Sequence, residues 1–530
     1  MARRAPAHPS RPTSVASAPP AWISLAVGGL FLVVYLVMSP RASGAGDSSE
    51  FTVVLATLGL AHPTGYPLYT LIGHAFVVAL HALGAGWAWA ANAWSALGGA
   101  VAVGLWHALG ARLLRREGAG RQSAALVALL PAAAFGLNPV WTGEATVAEI
   151  NSWHLAWVAA ACLLAWNTLD SLPAHRGDAP WVTRRVAAWS LLVGLGLSHH
   201  ATSLIFAIPL TLALLVAARP LRAAWLAPGA LGVVVPLLAW SYVLFRSVHP
   251  AAVQWGSLGP GVRETWNHVT AAGYRHYLGS FAPSAEQRAE LAAQVYPWLA
   301  AGVLAALAWP FATRARSRTA ALGLGAAMLA QTAYAFSYAV ADPGSYFLPA
   351  LALGVFLVPV AAAALGLVGR RAQPLAALAG LALVPAAWIW GSAALERRTA
   401  IEGMETFLHT MWDAVPIQRG YVLWDGDMSY RLLQYQRLQG EKPGLVVVRP
   451  RLLMDAGARA LFERRQGFDP LGGAAAPPDA EADRPERIRE FAARIGEGIN
   501  RSTADSVILF LPEEPSLRVL PKPGQISVGR

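Results

Sequence analysis

Long apolar runs recur along the chain as far as residue 395, with short polar or basic stretches between them. A helix of about 20 apolar residues is long enough to cross the hydrocarbon core of a membrane. The pattern therefore predicts a polytopic α-helical membrane protein. The runs cover residues 22–39, 66–83, 87–110, 123–141, 153–169, 182–198, 202–218, 223–245, 291–310, 320–339, 346–368 and 374–395.

The pattern changes at about residue 396, where charged residues become frequent and long apolar runs end. Short apolar segments at Leu445–Val448 and Val507–Leu511 predict strands among helices. We therefore expect three parts in this chain. They are a disordered segment rich in Pro, Ser and Ala at residues 1–20, a transmembrane domain at 21–395 and a small α/β domain at 396–530.

The composition agrees with a membrane protein, because 55% of the 530 residues are hydrophobic, 13% are charged and the mean hydropathy is +0.42. A soluble domain would carry roughly 25% charged residues. The net charge of +11 is consistent with nucleic-acid binding, but the basic residues lie in short clusters between apolar runs. Such clusters are typical of membrane loops, so we exclude a nucleic-acid partner. The single cysteine, Cys162, excludes an intrachain disulfide and a cysteine-based metal site.

Arginine is unevenly distributed between alternate loops, with fourteen residues on one predicted side of the membrane and five on the other. Basic loops stay in the cytoplasm, so the side with fourteen arginines is cytoplasmic. The basic N-terminus belongs there too, which requires that the run at 66–83 does not cross and instead lies on or dips into the outer face. The prevalence of Arg and Ala indicates a GC-rich bacterial genome. We therefore predict about eleven spans in a bacterial inner (cytoplasmic) membrane, with the N-terminus inside and the C-terminal domain outside.

The first outer loop carries two acids directly after the first apolar run, in Gly46-Asp47-Ser48-Ser49-Glu50, and His62-Pro63-Thr64-Gly65-Tyr66-Pro67 begins twelve residues after Glu50. Carboxylates beside a bilayer are costly unless they face a wet cavity, which indicates a functional site. Pro and Gly interrupt a regular helix around His62 and Tyr66, so this segment is predicted to form the rim of an active site. The alternative is a capping box, with Asp47 at the N-cap and Glu50 at N3.

Other outer loops also carry acids. Glu144 and Glu149 lie between spans and could bind a metal, sugar hydroxyls or the acceptor; alternatively, they cap the following helix. Asp342 precedes a span that contains Tyr346, and it could equally be a ligand or a turn-forming residue. Asp425-Gly426-Asp427 is similar to the Asp-x-Asp metal site of nucleotide-sugar enzymes. Because nucleotide sugars should be absent outside the cell, we predict that this segment is a strand-to-helix turn.

Basic side chains on the outer face are candidates for binding a phosphate group. His199 and His200 lie in a short loop between spans, and an imidazolium could neutralise a phosphate leaving group; interfacial hydrogen bonding is the alternative. Arg246, Arg263 and Arg275 are interleaved with aromatic residues in one long outer loop, which suits a phosphate beside a sugar ring. The same loop could instead be an interfacial aromatic belt whose arginines extend to the headgroups.

These segments together resemble a family of multi-span glycosyltransferases, long described only as a domain of unknown function, that includes the animal transmembrane protein O-mannosyltransferase of plexin-type domains. The resemblance covers most of residues 40–450. It implies a fold of the lipid-donor GT-C type, a sugar donor carried on polyprenyl phosphate, and a catalytic acid in the first outer loop, which corresponds to Asp47. The matching stretches are Gly46–Glu50, Gly59–Tyr69, Asn92–Leu97, Pro139–Asn151, Gly194–Thr202, Asn267–Tyr277, Asp342–Pro349 and Trp424–Asp427 with Tyr435.

The resulting hypothesis is an inverting hexosyltransferase that moves a sugar, with mannose as one candidate, from a polyprenyl-phosphate carrier to a hydroxyl of a protein, glycan or lipid acceptor. Asp47 is the expected general base and Glu50 orients it. No cofactor is required, although a divalent cation is compatible with the acids; no metal ligand is assigned. The candidate substrate-binding residues are His62, Tyr66, Glu144, Glu149, His199, His200, Arg246, Arg263, Arg275, Asp342 and Tyr346.

Two other classes of protein remain open. A lipid or glycan transporter or flippase is the main alternative, but transporters place polar residues near the membrane midplane and often contain inverted repeats. The acids of this chain lie at the outer ends of the predicted spans, and its sequence shows no internal repeat. The third class is a non-catalytic membrane scaffold that presents the outer domain.

Overall fold

The computed structural model describes residues 21–522, apart from residues 252, 254–257, 280, 339–341, 368–371, 427 and 474–484. The segment 1–20, which we predicted to be a disordered cytoplasmic N-terminus, lies outside the described residues, as does Asp427.

The first part of the chain, as far as Asp413, is mostly helical. The helices are α1 Ala21–Met38, α2 Asp47–Thr57, α3 Pro67–Ala82, α4 Trp87–Arg116, α5 Arg121–Gly136, α6 Pro139–Ala145, α7 Asn151–His175, α8 Ala179–His199, α9 Ser203–Ala217, α10 Leu226–Leu237, α11 Ser241–Val248, α12 Val262–Val269, α13 Ala285–Gln294, α14 Tyr296–Ala312, α15 Ala315–Ala335, α16 Gly344–Ala364 and α17 Ala372–Asp413. Short 3₁₀ turns occupy Ala223–Trp225, Leu238–Trp240 and Ala272–Tyr277.

Membrane-spanning helices are recognisable among these elements by length and composition. Five helical segments of the described chain are long and apolar enough to cross a membrane, or up to seven if each of two bent pairs is one span. The bends are 75° between α5 and α6 and 53° between α13 and α14. The run at 66–83, which we expected not to cross, is the 16-residue helix α3, and α9 is similarly short.

Apolar side chains on the outside of the bundle agree with a lipid environment. Leu25 and Leu30 of α1 are 74% and 63% exposed, and Phe311 and Trp388 of later helices are 87% and 77% exposed. A water-soluble protein would bury such groups, because exposing them costs roughly 25 cal/mol for each Å². Lipid tails solvate them instead, so these faces are suited to a membrane.

The two ends of the helical bundle differ in chemistry. At one end, Arg116 of α4 forms an ion pair with Asp170 of α7 at 3.2 Å, and Glu117 accepts hydrogen bonds from the side chains of Trp309 and Thr313. The arginine-rich loops that we predict to be cytoplasmic therefore meet here. The acid-bearing loops meet at the other end of α7, about 28 Å away at 1.5 Å per helical residue.

The C-terminal part of the chain forms a small α/β unit. Helix α17 enters it without a break, since it continues to Asp413 through the boundary that we predicted at residues 395 and 396. The elements of the unit are β1 Arg419–Leu423, α18 Tyr430–Leu438, β2 Gly444–Val448, a 3₁₀ turn Pro450–Met454, α19 Ala456–Gln466, α20 Pro485–Ser502, β3 Val507–Leu511 and β4 Ser516–Val519. The sheet has the order β2-β1-β3-β4, with β4 antiparallel to β3 and the other pairs parallel.

Strands β2 and β3 coincide with the two strands predicted from the sequence, whereas β1 and β4 were not predicted. Strand β1 begins with Arg419 and Gly420, and β4 contains Ser516 and Arg518, so neither presents the continuous apolar run that marks a buried strand. Asp425 lies between β1 and α18, which places it in the strand-to-helix turn that we predicted.

Helix α18 attaches the α/β unit to the acid-bearing helix α2. The Gln434 side chain donates hydrogen bonds to the Ser49 carbonyl at 3.0 Å and to Ser43 Oγ at 2.9 Å. The Arg431 guanidinium donates to the Ser43 carbonyl, and Tyr430 packs against Val53 of α2. These contacts fix the α/β unit beside the first outer loop.

Candidate active site

The two acids of helix α2 do not serve as caps, and only Glu50 is buried. Gly46 precedes the helix with φ at 58°, a left-handed value that favours glycine, and no side chain caps this end. The capping box that we considered is therefore not formed. Glu50 is 1% exposed and accepts a hydrogen bond from the backbone N–H of His62 at 2.6 Å. Asp47 lies one turn earlier, with 57% of its side chain exposed.

His62 lies between the two carboxylates. Its Nδ1 is 3.2 Å from Glu50 Oε2, and its Nε2 is 3.6 Å from Asp47 Oδ2 and 3.1 Å from the Tyr66 hydroxyl. Burial lowers the pKa of His62, but the charges of Asp47 and Glu50 outweigh burial and raise this pKa to about 9. The imidazole is therefore protonated at neutral pH and forms an ion triad with the two acids.

The loop between α2 and α3 holds His62 and Tyr66 in place through backbone geometry. Gly65 adopts φ at 85°, and Tyr66 itself is left-handed with φ at 43°, so the chain reverses before Pro67 begins α3. The ring of Tyr66 lies 5.7 Å from the ring of Phe51, which follows Glu50 on α2. This loop is irregular, as the sequence predicted.

A cavity of about 880 Å³ opens beside Asp47 and brings the outer loops together. Nine of the residues predicted from the sequence line it, although they come from loops separated by up to 300 residues. They are Asp47, Glu50, His62, Tyr66, Glu144, Glu149, His200, Asp342 and Tyr346.

Glu144 and Asp342 form a second acidic group in the cavity. Asn138 caps α6 by accepting hydrogen bonds from the N–H groups of Val140 and Trp141, and this cap redirects the chain after α5. Glu144, near the end of α6, accepts a hydrogen bond from Asn151 at 2.9 Å and contacts the Asp342 carboxyl.

Burial raises the pKa of two acids in this part of the cavity. Burial and then the neighbouring charges of Glu144 and Asp47 raise the pKa of Glu149 well above its ordinary value. Burial also raises the pKa of Asp342, although hydrogen bonds from the Gly344 N–H oppose it. Glu149 does not cap α7, whose N-cap is Ile150 without a side-chain bond, whereas Asp342 both forms the turn before α16 and lines the cavity.

The two adjacent histidines point in different directions. His200 lines the cavity, stacks on Tyr66 with 5.6 Å between ring centres, and contacts Thr202 Oγ1 at 2.6 Å. Burial, followed by the charge of His62, lowers the pKa of His200 to about 4, so this ring is neutral. His199 is not among the cavity-lining residues, and its ring centre lies 6.2 Å from that of Tyr69.

The three arginines predicted to bind phosphate do not line the cavity. Arg246 donates to the Leu58 carbonyl at 2.8 Å and lies over the Tyr242 ring, whereas Arg263 and Arg275 are exposed. The cavity is instead lined by Arg449 and Arg451, which follow strand β2 of the α/β unit. Their position directly after a predicted strand could have identified them from the sequence, because functional groups often lie at the carboxyl ends of parallel strands.

Tyrosine rings form much of the remaining wall. Tyr338 lies 4.8 Å from Tyr346 and 5.5 Å from Tyr334 between ring centres, and Tyr274 and Tyr277 approach from the outer loop. Aromatic faces combined with hydroxyl groups are common in pockets that bind small polar molecules. The sequence did not single out Tyr334 and Tyr338, because aromatic residues at the end of a span also suit a membrane interface.

Asp47, Glu50 and His62 could also hold a metal ion. Each offers one ligand atom, and these atoms lie within 4.8 Å of one another. Two carboxylates and an imidazole suit several divalent cations. A metal ligand must be a neutral imidazole, so metal binding would require His62 to release the proton that the two acids stabilise.

The sequence around the two acids of α2 is similar to known proteins. Residues 47–223, which include both acids of α2, match the family model of the protein O-mannosyl-transferase TMEM260 N-terminal domain. The curated protein O-mannosyl-transferase TMEM260 of Mus musculus is 31% identical over 160 residues, which are 27% of this chain and 22% of the mouse protein. The chain thus spans about a fifth of the curated relative that it matches. The resemblance inferred from the motifs is confirmed over this segment.

Solved structures provide a comparison over more of the chain. The crystal structure of ArnT from Cupriavidus metallidurans bound to undecaprenyl phosphate is 16% identical, with a TM-score of 0.46, and the match covers 90% of this chain and 77% of ArnT. Its apo state gives a TM-score of 0.42 at 17% identity, with the same coverage.

Proposed function

We propose that this protein transfers a sugar from a polyprenyl-phosphate carrier to an acceptor hydroxyl on the extracytoplasmic face of the membrane. The observation that carries the proposal is the position of Asp47, a half-exposed carboxylate beside a cavity of about 880 Å³, within the segment that resembles a protein O-mannosyl-transferase. Mannose is the sugar that the relative's name suggests, and a protein hydroxyl is the corresponding acceptor.

Asp47 acts as the general base in this reaction. Its carboxylate removes the proton of the acceptor hydroxyl while the oxygen forms a bond to the anomeric carbon of the donor. The bond between that carbon and the phosphate oxygen breaks, and its electron pair leaves with polyprenyl phosphate. Because attack and departure occur on opposite faces of the sugar, the configuration at the anomeric carbon inverts.

Glu50 and His62 position the base. Glu50 fixes the His62 backbone and ring, and His62 in turn lies 3.6 Å from Asp47, so the orientation of Asp47 depends on the buried acid. Groups held by hydrogen bonds and burial lose little freedom at the moment of reaction. Glu144, Glu149 and Asp342, across the cavity, provide acceptors and donors for the hydroxyl groups of the sugar.

We propose the membrane arrangement derived from the sequence, with about eleven spans, the N-terminus in the cytoplasm of a bacterial cell and the α/β unit outside. It is supported by the separation of the two loop sets, since Arg116 and Asp170 meet at one end of the bundle. Glu144 and Asn151 meet at the other end. The reaction therefore takes place on the outer side, where lipid-linked sugars are available.

A transporter is the alternative, and a transfer assay separates the two. Purified protein is incubated with a panel of radiolabelled polyprenyl-phosphate sugars and acceptor peptides, and released polyprenyl phosphate is measured. Asp47→Asn should reduce transfer by about 10²- to 10⁴-fold, the usual contribution of a general base. Asp413→Asn is the matched control, because Asp413 is 62% exposed, similar to Asp47, and lies outside the cavity lining.

Two results would contradict this function. Full transfer by a correctly folded Asp47→Asn protein would remove Asp47 from the mechanism. Binding of the lipids without turnover of any donor by the wild type would favour transport.

A further inference from the structure

We propose that Arg449 and Arg451 bind the phosphate group of the lipid-linked donor, so that the C-terminal α/β unit completes the active site. This inference rests on the proposed sugar transfer and assigns the phosphate-binding residues of that reaction. It replaces the outer-loop arginines Arg246, Arg263 and Arg275, which the structure places away from the cavity lining.

The charges around the cavity carry the argument. Among the described lining residues, Arg449 and Arg451 are the only arginines, and no lysine is present. The cavity lining also contains five acids, which are Asp47, Glu50, Glu144, Glu149 and Asp342. A phosphate anion in such a cavity would be repelled unless a cation bound it, because charges interact strongly where water is excluded.

The two histidines of the cavity lining contact neighbouring side chains. His62 is held between Asp47 and Glu50, which already balance its charge. His200 packs face to face with Tyr66 and contacts Thr202, which occupies one of its nitrogens. A guanidinium offers several N–H donors in a planar fork that matches two oxygens of a phosphate, so the two arginines are the best partners for this group.

The fold of the α/β unit explains why these arginines reach the cavity. Strands β1 and β2 are parallel, and their carboxyl ends therefore lie at the same edge of the sheet. Asp425 follows β1, and Arg449 and Arg451 follow β2. Open α/β sheets commonly bind ligands outside this edge. Here that edge faces the membrane domain, because Tyr430 of α18 packs on Val53 of α2.

Neighbouring groups hold both arginines at the cavity lining. The Arg449 guanidinium lies over the ring of Tyr430, 5.7 Å from its centre, and Tyr430 also lines the cavity. The Arg451 backbone N–H donates to Asp425 Oδ1 at 2.7 Å, and its Nε lies 3.6 Å from Asp425 Oδ2. Asp425 thus anchors the segment, and 41% of the Arg451 side chain remains exposed for a ligand.

A structural role for the arginines is the competing explanation. Arg449 is close enough to His62 to lower the pKa of that ring, so it could serve only to balance the acids of α2. Arg451 could serve only to close the turn with Asp425. Neither role requires that a phosphate compound bind better than the same lipid without its phosphate, and this difference is measurable.

The experiment compares ligands with and without the phosphate. Purified full-length protein in detergent is titrated with farnesyl phosphate, with farnesol and with inorganic phosphate, and binding is followed by microscale thermophoresis. The variants are Arg449→Gln, Arg451→Gln and the double variant, and thermal unfolding checks that each is folded. Arg437→Gln is the matched control, because Arg437 is exposed on α18 of the same unit and does not line the cavity.

The wild type and Arg437→Gln are expected to bind farnesyl phosphate at least about tenfold more tightly than farnesol, the effect of a charge-assisted hydrogen bond. Each Gln variant should lose most of that preference while binding farnesol equally. If a Gln variant fails to fold, the Arg449→Lys variant is tested instead. It keeps the positive charge but loses the planar guanidinium that can contact two phosphate oxygens. Weaker binding of farnesyl phosphate by that variant, with unchanged farnesol binding, supports the assignment.

The remaining outcomes separate this inference from the proposed function. If the wild type prefers farnesyl phosphate and the double variant keeps that preference, the arginine assignment is overturned and sugar transfer stands. If the wild type does not distinguish farnesyl phosphate from farnesol, a phosphate-linked donor is itself excluded, and both proposals fail.

Discussion

Glu50 contacts His62 twice, through the backbone N–H of His62 at 2.6 Å and through ring Nδ1 at 3.2 Å. One buried carboxylate therefore fixes both the chain and the ring of a residue twelve positions later. The pair has a structural function in holding the loop before α3 and an electrostatic function in keeping an imidazolium beside Asp47. The stability of the site and its chemistry are thus linked.

Removing Glu50 should destabilise the protein. Glu50→Ala leaves the His62 ring and backbone N–H without their buried partner. Removing one partner of a buried ion pair lowers the free energy of unfolding by about 3–5 kcal/mol. Unfolding in SDS titrations measures the change. Because the cost comes from the partner left behind, the double variant Glu50→Ala, His62→Ala should lose less than the sum of the single variants. Strict additivity would contradict the pairing.

The stability of the wild type should depend on pH through His62. Its pKa is about 9 when folded and 6.5 in the unfolded chain, so the folded state binds the proton more tightly. This stabilisation is complete below pH 6.5 and is lost as the pH rises through 9; its upper limit is on the order of 3 kcal/mol. Unfolding curves between pH 6 and pH 10 should show this decline in the wild type. His62→Gln should lack it, and an equal decline in that variant would assign the effect to another group.

Many of the cavity-lining residues could be identified from the sequence. Asp47 and Glu144 stood out because acids at the ends of membrane spans are costly without a function, and that argument needs no tertiary structure. Arg449 could not be found in the same way. It lies about 400 residues beyond Asp47, and its approach to the cavity depends on how α18 docks on α2, which local patterns do not encode.

The arginines of the outer loop show the limit of composition as evidence. Arg246 lies in an aromatic, cationic segment that suits a phosphate site, but its guanidinium binds the Leu58 carbonyl and stacks on Tyr242. The same composition serves a structural contact equally well. The domain boundary predicted near residue 395 falls within α17, because apolar patterning does not show where a helix ends, and the boundary itself stays a prediction.

Loosening the contact between α18 and α2 should reduce transfer. Gln434→Ala removes the hydrogen bonds to Ser43 and Ser49, so the α/β unit is less well held beside Asp47. We expect a fall in kcat of about tenfold, since small misplacements of catalytic groups are expensive, together with faster hydrogen–deuterium exchange in α2. Gln436→Ala is the control, because the side chain of this buried residue donates to the Lys442 and Leu445 carbonyls within the α/β unit. Equal exchange of α2 in both variants would contradict the interpretation.

The predicted orientation can be measured with single cysteines, because the natural Cys162 is the only cysteine and is buried. Arg437→Cys, on α18, should react with a membrane-impermeant maleimide in intact cells. Gly177→Cys, in the exposed loop between α7 and α8, should react only after the membrane is made permeable. The unmodified chain is the background control. The reverse labelling pattern would invert the topology and place the cavity in the cytoplasm.

Transfer at pH 7 should survive removal of divalent cations. Both ring nitrogens of His62 face carboxylates, so the imidazolium already supplies the positive charge between Asp47 and Glu50. A cation could bind there only by displacing that proton, which becomes easier as the pH approaches 9. Rates measured after dialysis against EDTA should therefore equal the untreated rates at pH 7, and His62→Gln should respond in the same way. Activity that disappears with EDTA and returns with Mn²⁺ would instead assign Asp47, Glu50 and His62 to a metal centre. The general base would then be one of the other acids that line the cavity.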